Sequence, residues 1–281
     1  MDLLVVGTSN GLVCCVDGSI VFDHTIIIMN PSIRRYIALP KPNNVTLTRL
    51  KPRFMEKNSL LGFGFDPKNN DFKVVELVYK AQAYPDPQVG IFSLASNEWR
   101  NISHDKALSS LFSIFIHGMG FRREQVCVKG VLHWLVRASY NNRYCRYFML
   151  TFDLLEEIFG KLMLPRDETS KPSFLYGSND SLVVVYATYS ESFRIWVMTE
   201  CGDADSWNLR YCFDARHYGG ISRVLTLKCS GEVVLQRNNG EIVLLDPKKH
   251  LVKWVGHERF VSDFVGHHVE SLIMINTRKG K

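Results

Sequence analysis

The chain has 281 residues, of which 46% are apolar and 22% charged, and it carries a formal net charge of +6. That composition excludes a disordered or low-complexity polymer and leaves room for a sizeable core. The positive charge lies in scattered pairs such as Arg34-Arg35, Arg122-Arg123 and Lys248-Lys249, which argues against nucleic acid as a partner.

The first residues, MDLLVVGTSNG, lack the basic and long apolar regions of a secretory signal, and no apolar run reaches membrane-spanning length. No membrane partner is therefore expected. Seven cysteines occur without a Cys-x-x-Cys spacing, and Cys14 and Cys15 are adjacent in an apolar run. Neighbours in a strand point to opposite faces, so these two form no ordinary bridge. Reduced thiols place the chain in the cytoplasm or nucleus.

Short runs rich in Val, Ile, Leu and aromatics then recur between Gly, Asn, Asp and Pro clusters, the pattern of strands and hairpins. They group in fours. The first unit is DLLVVGTS, GLVCCV, TIIIMNP and RRYIALP, and the second LLGFGFDP, FKVVELVY, QVGIFSLA and EWRNI. The third is EQVCVKG, VLHWLVRA, YFMLTFDLL and EEIFGKLMLP; the fourth SFLYGSN, SLVVVYA, FRIWVMTE and SWNLRYCF; the fifth RVLTLKCSG, EVVLQRN, EIVLLDP and LVKWVGH. Third strands end in turns such as Asn30-Pro31, Asp153-Leu154 and Asp246-Pro247, and fourth strands carry one large anchor each: Tyr36, Trp99, Phe159, Trp207 and Trp254. Four-stranded units repeating every ~45–60 residues predict an all-β fold, a β-propeller of four-stranded blades.

One run, 269–276, remains after the fifth unit and is predicted to be an orphan strand. Propellers close by pairing the two chain ends in one blade, so the expectation is five complete blades here and six at full length. The propeller domain is placed at 1–276, followed by a basic tail at 277–281.

In such a blade the connections from strand two to three, and from blade to blade, share one face. Here they read as the long ones: 41–59, 80–88, 101–123, 138–147, 165–173, 187–192 and 214–222. Long loops on a rigid scaffold are where binding concentrates, and Tyr and Arg are enriched at protein contacts. Arg49, Arg53, Tyr84, Tyr140, Arg143, Tyr144, Arg146, Tyr189, His217 and Tyr218 are the candidates for holding a protein partner.

No motif calls for chemistry. GFGFDP lacks the third glycine and the helix of a dinucleotide site, so its glycines are read as allowing close blade packing. His257, His267 and His268 are read as a surface cluster, because an adjacent pair points apart and does not converge on a metal. His133, inside VLHWLV, is read as a hydrogen-bonded strand histidine. Glu156-Glu157 and Asp203-Asp205 are expected to sit solvated in turns, and Cys14, Cys127, Cys201, Cys212 and Cys229 to lie in or beside apolar runs. Trp99, Trp134, Trp196, Trp207 and Trp254 are expected to pack. No catalytic residue, metal or cofactor follows. The alternative is a carbohydrate- or small-ligand-binding propeller, including a hydrolytic one, which would need paired acids at a central cavity.

The stretches GTSNGLVCCV, IMNPSIRRYIALP, LLGFGFDPKNNDFKVVEL, IFSLASNEWRNI, VCVKGVLHWLV, FMLTFDLLEEIFGKLMLP and FRIWVMTECGDADSWNLRYCF, in that order, resemble the F-box-associated domain of plant F-box and F-box/kelch-type proteins. The resemblance implies the substrate-recognition half of an SCF-type (cullin–RING) ubiquitin ligase, a non-enzymatic receptor. In that family an F-box ahead of the propeller grips a Skp-family adaptor and, through it, the cullin. None precedes MDLLVVG, so the expectation is a chain that holds a substrate without docking on the ligase, as a fragment, a misread gene or a natural truncation.

Overall fold

The computed structural model describes residues 3–17, 25–41, 57–80, 87–102, 120–140, 144–167, 170–178, 181–188, 192–257 and 269–275. The strands, in chain order, are β1 (Leu3–Ser9), β2 (Leu12–Asp17), β3 (Thr25–Asn30), β4 (Arg35–Ala38), β5 (Lys57–Asp66), β6 (Asp71–Lys80), β7 (Gln88–Ser93) and β8 (Glu98–Ile102). They continue with β9 (Gly120–Val128), β10 (Val131–Tyr140), β11 (Tyr144–Asp153), β12 (Phe159–Met163), β13 (Ser170–Ser178), β14 (Ser181–Thr188), β15 (Ser192–Met198) and β16 (Trp207–Asp214). The last are β17 (Ile221–Leu227), β18 (Val233–Arg237), β19 (Glu241–Asp246) and β20 (Leu251–His257), with short 3-10 turns at Ala204–Ser206 and Ala215–Tyr218. Each successive four form one antiparallel sheet in chain order. The five units in the sequence are thus five four-stranded propeller blades. No helix among the described residues is long and apolar enough to cross a membrane.

One turn recurs because one local chemistry recurs. Asn30 Oδ1 accepts from the Ser32 N–H, Asp153 Oδ1 from Leu155 and Glu156, and Asp246 Oδ1 from Lys248 and Lys249. Asp66 Oδ1 takes Lys68 and Asn69 in the same way, and Ser93 Oγ takes Ser96. Four residues after each of these acceptors stands a left-handed residue: Arg34, Asn70, Asn97, Glu157 and His250. A short side-chain acceptor offers the backbone an alternative to the ladder, which ends the strand and starts the turn. The β1–β2 hairpin is tighter: Asn10 and Gly11 both have positive φ, as a two-residue type I′ turn requires.

The chain divides into two compact units, residues 1–161 with 267–281 and residues 162–266, the boundary falling within β12. The first unit has two cores. One packs Val75, Leu77 and Ile91 against Leu132, Trp134 and Phe152. The other packs Leu12, Ile28 and Ile37 against Phe63, Val74 and Phe92. The second unit centres on Val183, Val185 and Ile195 with Val233, Leu235 and Leu245. Strands covered on both faces explain why β2, β6 and β14 read as near-continuous apolar runs rather than alternating ones. Gly62 shows how close β5 and β10 come. A Cβ there would lie 2.7 Å from Leu132 Cδ1 and run into the Trp134 ring, whose indole N–H donates to the Leu61 carbonyl at 2.8 Å. The packing role read for these glycines is what they have.

Several expectations need correction. Phe159 and Trp207 are buried, and Trp99 is half-buried with its N–H on the Pro40 carbonyl. Tyr36 and Trp254, however, are 69% and 61% exposed. The anchor position lies two residues beyond the left-handed turn residue, which selects Tyr36, Trp99, Phe159 and Val252; Trp254 is out of step with it. Tyr36 is in step but uncovered. Residues 269–275 form no strand ladder. That segment lies along blade one, where the Asn30 side-chain amide donates to the Ser271 and Ile273 carbonyls at 2.9 and 3.0 Å and Ser271 N donates to Ser32 Oγ. Ile275 is buried in the second core of that unit. Residues 276–281, and with them the tail, lie outside the described residues.

The loop asymmetry also holds only in part. Residues 138–140 and 144–147 extend β10 and β11, so only 141–143 separate those strands, and the β14–β15 and β18–β19 connections are equally tight. The long internal turn of blade four, 199–206, joins strands three and four instead.

Candidate functional site

Of the ten candidate contact residues, Arg49, Arg53, Tyr84, Arg143 and Tyr189 lie outside the described residues. Tyr140, Tyr144 and Arg146 are strand residues rather than loop residues: Tyr140 pairs with Tyr144 at the mouth of the β10–β11 hairpin, and Arg146 pairs with Ala138. Their register brings them together at one end of blade three.

His217 and Tyr218 sit on the 3-10 turn that leads from β16 into β17. Asp214 starts that turn by accepting from Arg216 N at 2.9 Å, and its carboxylate also takes Arg216 Nε and Nη2. Those Arg216 hydrogen bonds hold Asp214 down at about 2. Gly219 closes the turn in the left-handed region. His217 is exposed. Tyr218 is not a loose contact residue: its ring meets Phe213 edge-on at 5.9 Å, its hydroxyl lies 3.2 Å from His250 Nδ1, and its carbonyl accepts from Arg237 Nε. Arg237 is tied in turn to Glu241 at 2.9 Å. The result is a rigid rim on which His217 and Arg216 project.

The same unit holds an ion pair that the sequence reading missed. Arg194 Nη1 reaches both oxygens of the buried Asp167 at 2.9 and 3.0 Å. Tyr186 donates to the Pro165 carbonyl, and its burial, with Asp167 nearby, raises its pKa well above the usual phenol range. Together these fix residues 165–167 against β14 and β15. One guanidinium nitrogen is shared between the two carboxylate oxygens, a charge-assisted contact.

In the first unit, charge gathers at the turns. Lys73 Nζ contacts Asp66 Oδ2 at 2.8 Å, the Leu154 carbonyl at 2.5 Å and Glu157 Oε1 at 3.0 Å, and Arg100 also pairs with Glu157. Burial pushes Asp66 up, but hydrogen bonds from Lys73 and Asn69 outweigh it and hold the carboxyl at about 2. Burial likewise opposes the charge on Glu157, and Arg100 with Lys73 brings its pKa below the ordinary value. Glu157 is therefore a paired, half-sheltered group rather than the solvated turn residue expected. Asp203 behaves as expected, accepting from Asp205 N in an exposed turn.

His133 is buried, and burial drives its pKa down to about 4, with backbone groups of Val126 and Val131 acting the other way. It is a neutral core imidazole. Cys14 and Cys15 are buried, and burial raises both thiols; Cys212 and Cys229, by contrast, are exposed. No group of three or more metal-ligating side chains occurs among the described residues. His267 and His268, and the His257 side chain, lie outside them.

Five four-stranded antiparallel sheets in chain order, with charge spent on ties inside each unit, define a scaffold of the propeller class. A puromycin hydrolase matches it in fold with a TM-score of 0.53 at 10% identity, over 90% of this chain and 38% of that one. The family is settled by sequence: the profile of the F-box associated beta propeller domain matches residues 3–265. The chain belongs to that family. F-box protein At5g49610 of Arabidopsis thaliana is 27% identical over 257 residues, covering 88% of this chain and 66% of the relative. The F-box protein CPR1 of the same plant is 24% identical over 86% of this chain and 60% of its own length. The chain thus spans less than two thirds of the length of these relatives.

Proposed function

We propose that this chain is the substrate-recognition module of an SCF-type ubiquitin ligase, holding a protein substrate at the loop end of its blades while other subunits supply the bond chemistry. The observation that carries this reading is the family match across residues 3–265, in a chain whose relatives are named F-box proteins. The clasped turns support it, because a receptor needs a rigid frame to place a substrate lysine. The contact points we assign are, in the first unit, the hairpin mouth at Tyr140 and Tyr144 and, separately in the second unit, the rim at His217. An adaptor of the Skp family and a cullin are partners when an F-box accompanies the propeller, in the cytoplasm or nucleus.

The same reading carries a sixth blade. Tyr36 occupies the anchor position that Trp99 and Phe159 fill but is left uncovered, and the segment 269–275 returns to that blade. A further blade packed on blade one would cover the ring.

The test is ubiquitination in plant cells of proteins captured by the propeller joined to an F-box. Substrates whose modification disappears with Tyr144→Ala and His217→Ala, in a chain that keeps its unfolding temperature, support the assignment. Modification that persists in both variants overturns the two contact points, and the absence of any propeller-dependent substrate overturns the function.

A further inference from the structure

Strand β20 departs from the other outer strands. It is the edge of its sheet and pairs with β19 alone among the described residues. Its sequence is LVKWVGH, and Leu251, Trp254 and Val255 are 63%, 61% and 54% exposed. Val252 lies opposite Leu245 and Trp254 opposite Val243, so these two share one face of the strand, and Leu251 and Lys253 take the other. Natural edges are blunted by short length, charge or proline. β20 carries Lys253 and a bulge at Val255, yet it still offers apolar side chains beside backbone groups that have no ladder partner among the described residues.

Charge states what would fit there. Lys253 stands in the middle of the strand, and Lys248 and Lys249 lie exposed in the turn before it. Asp246 is already engaged: it accepts from the N–H groups of Lys248 and Lys249 and pairs with the Lys249 ammonium at 3.5 Å. Glu232 is held by Lys228 and Ser230. The edge is left with net positive charge beside apolar side chains.

We infer that β20 is a docking edge for an extended segment of a protein partner in which acidic and apolar residues alternate. The partner adds a strand to the sheet, its backbone pairing with β20, its apolar side chains on Val252 and Trp254, which share one face, and its carboxylates on Lys253 and Lys248. This surface is independent of the loop-end contacts proposed above.

The probe is a capped peptide alternating valine and glutamate, about nine residues long, added to the full chain, with the valine–lysine peptide as control. Hydrogen exchange of amides 251–257 is the readout. The glutamate peptide slows their exchange about tenfold, the lysine peptide leaves it unchanged, and Lys253→Glu reverses that preference. Lys248→Glu, outside the strand, weakens the glutamate peptide without touching the β19–β20 ladder, which separates lost binding from a lost strand. Equal protection by both peptides, or by neither, overturns the proposal. So does protection of the same amides by self-association at high chain concentration, or by anionic vesicles without peptide.

Discussion

Lys73 Nζ lies 2.8 Å from Asp66 Oδ2, and both side chains are almost wholly buried. The same ammonium reaches the Leu154 carbonyl and Glu157, so one lysine ties blade two to the turn of blade three. Removing one partner of a buried pair leaves the other charge desolvated, which costs about 3–5 kcal/mol. Lys73→Met is therefore expected to lower the unfolding free energy of the first unit by about that much in urea titration. Lys73→Met combined with Asp66→Asn should recover part of the loss.

Stability should fall in two steps on acidification. His133 has its pKa depressed from 6.5 to about 4, so the unfolded chain binds the proton more readily. Its contribution is present above pH 6.5 and is lost as pH falls toward 4, amounting to about 3 kcal/mol. Asp66, depressed from 3.8 to about 2, acts lower down: its contribution is present above pH 3.8 and is lost toward pH 2. Thermal melts across pH 7 to 2 should show both steps, and His133→Phe should flatten only the first.

Gly62→Ala should destabilise the first unit by about 1–3 kcal/mol, because the added methyl group meets Leu132 and the Trp134 ring on the facing blade. Trp134 fluorescence reports the displacement directly. A wild-type spectrum with unchanged stability would show that the blades separate freely.

Asn30→Ala should release the segment 269–275. Both donors to the Ser271 and Ile273 carbonyls are lost, at about 1–2 kcal/mol. Faster exchange of amides 271–275, with the blade cores unchanged, is the expected outcome. Asn30→Asp should behave alike, since a carboxylate still ends β3 by accepting from Ser32 but has no N–H to donate.

The strands were legible because their causes are local. Alternating or continuous Val, Ile and Leu runs, ended by Asn, Asp or Ser acceptors, mark each blade without reference to any other. The candidate site was less so. Tyr140, Tyr144 and Arg146 read as a polar loop, yet polar residues at a hairpin mouth still pair as strand. The Lys73–Glu157 contact spans 84 positions, and no spacing in the chain announces it. Asp66 and Lys73 did lie inside the recognisable GFGFDP–DFKVV stretch, but as residues without an assigned task.

Family, five-blade architecture and turn positions were determined by the amino-acid sequence alone, since each depends on residues close together in the chain. Which side chains those blades bury was decided by tertiary structure. Tyr36, Trp99 and Phe159 occupy the same local position, two residues past a left-handed turn residue, yet Phe159 is buried, Trp99 is half-buried on Pro40 and Tyr36 faces solvent. The local pattern is the same in all three. The neighbour is not, and burial is a property of the neighbour.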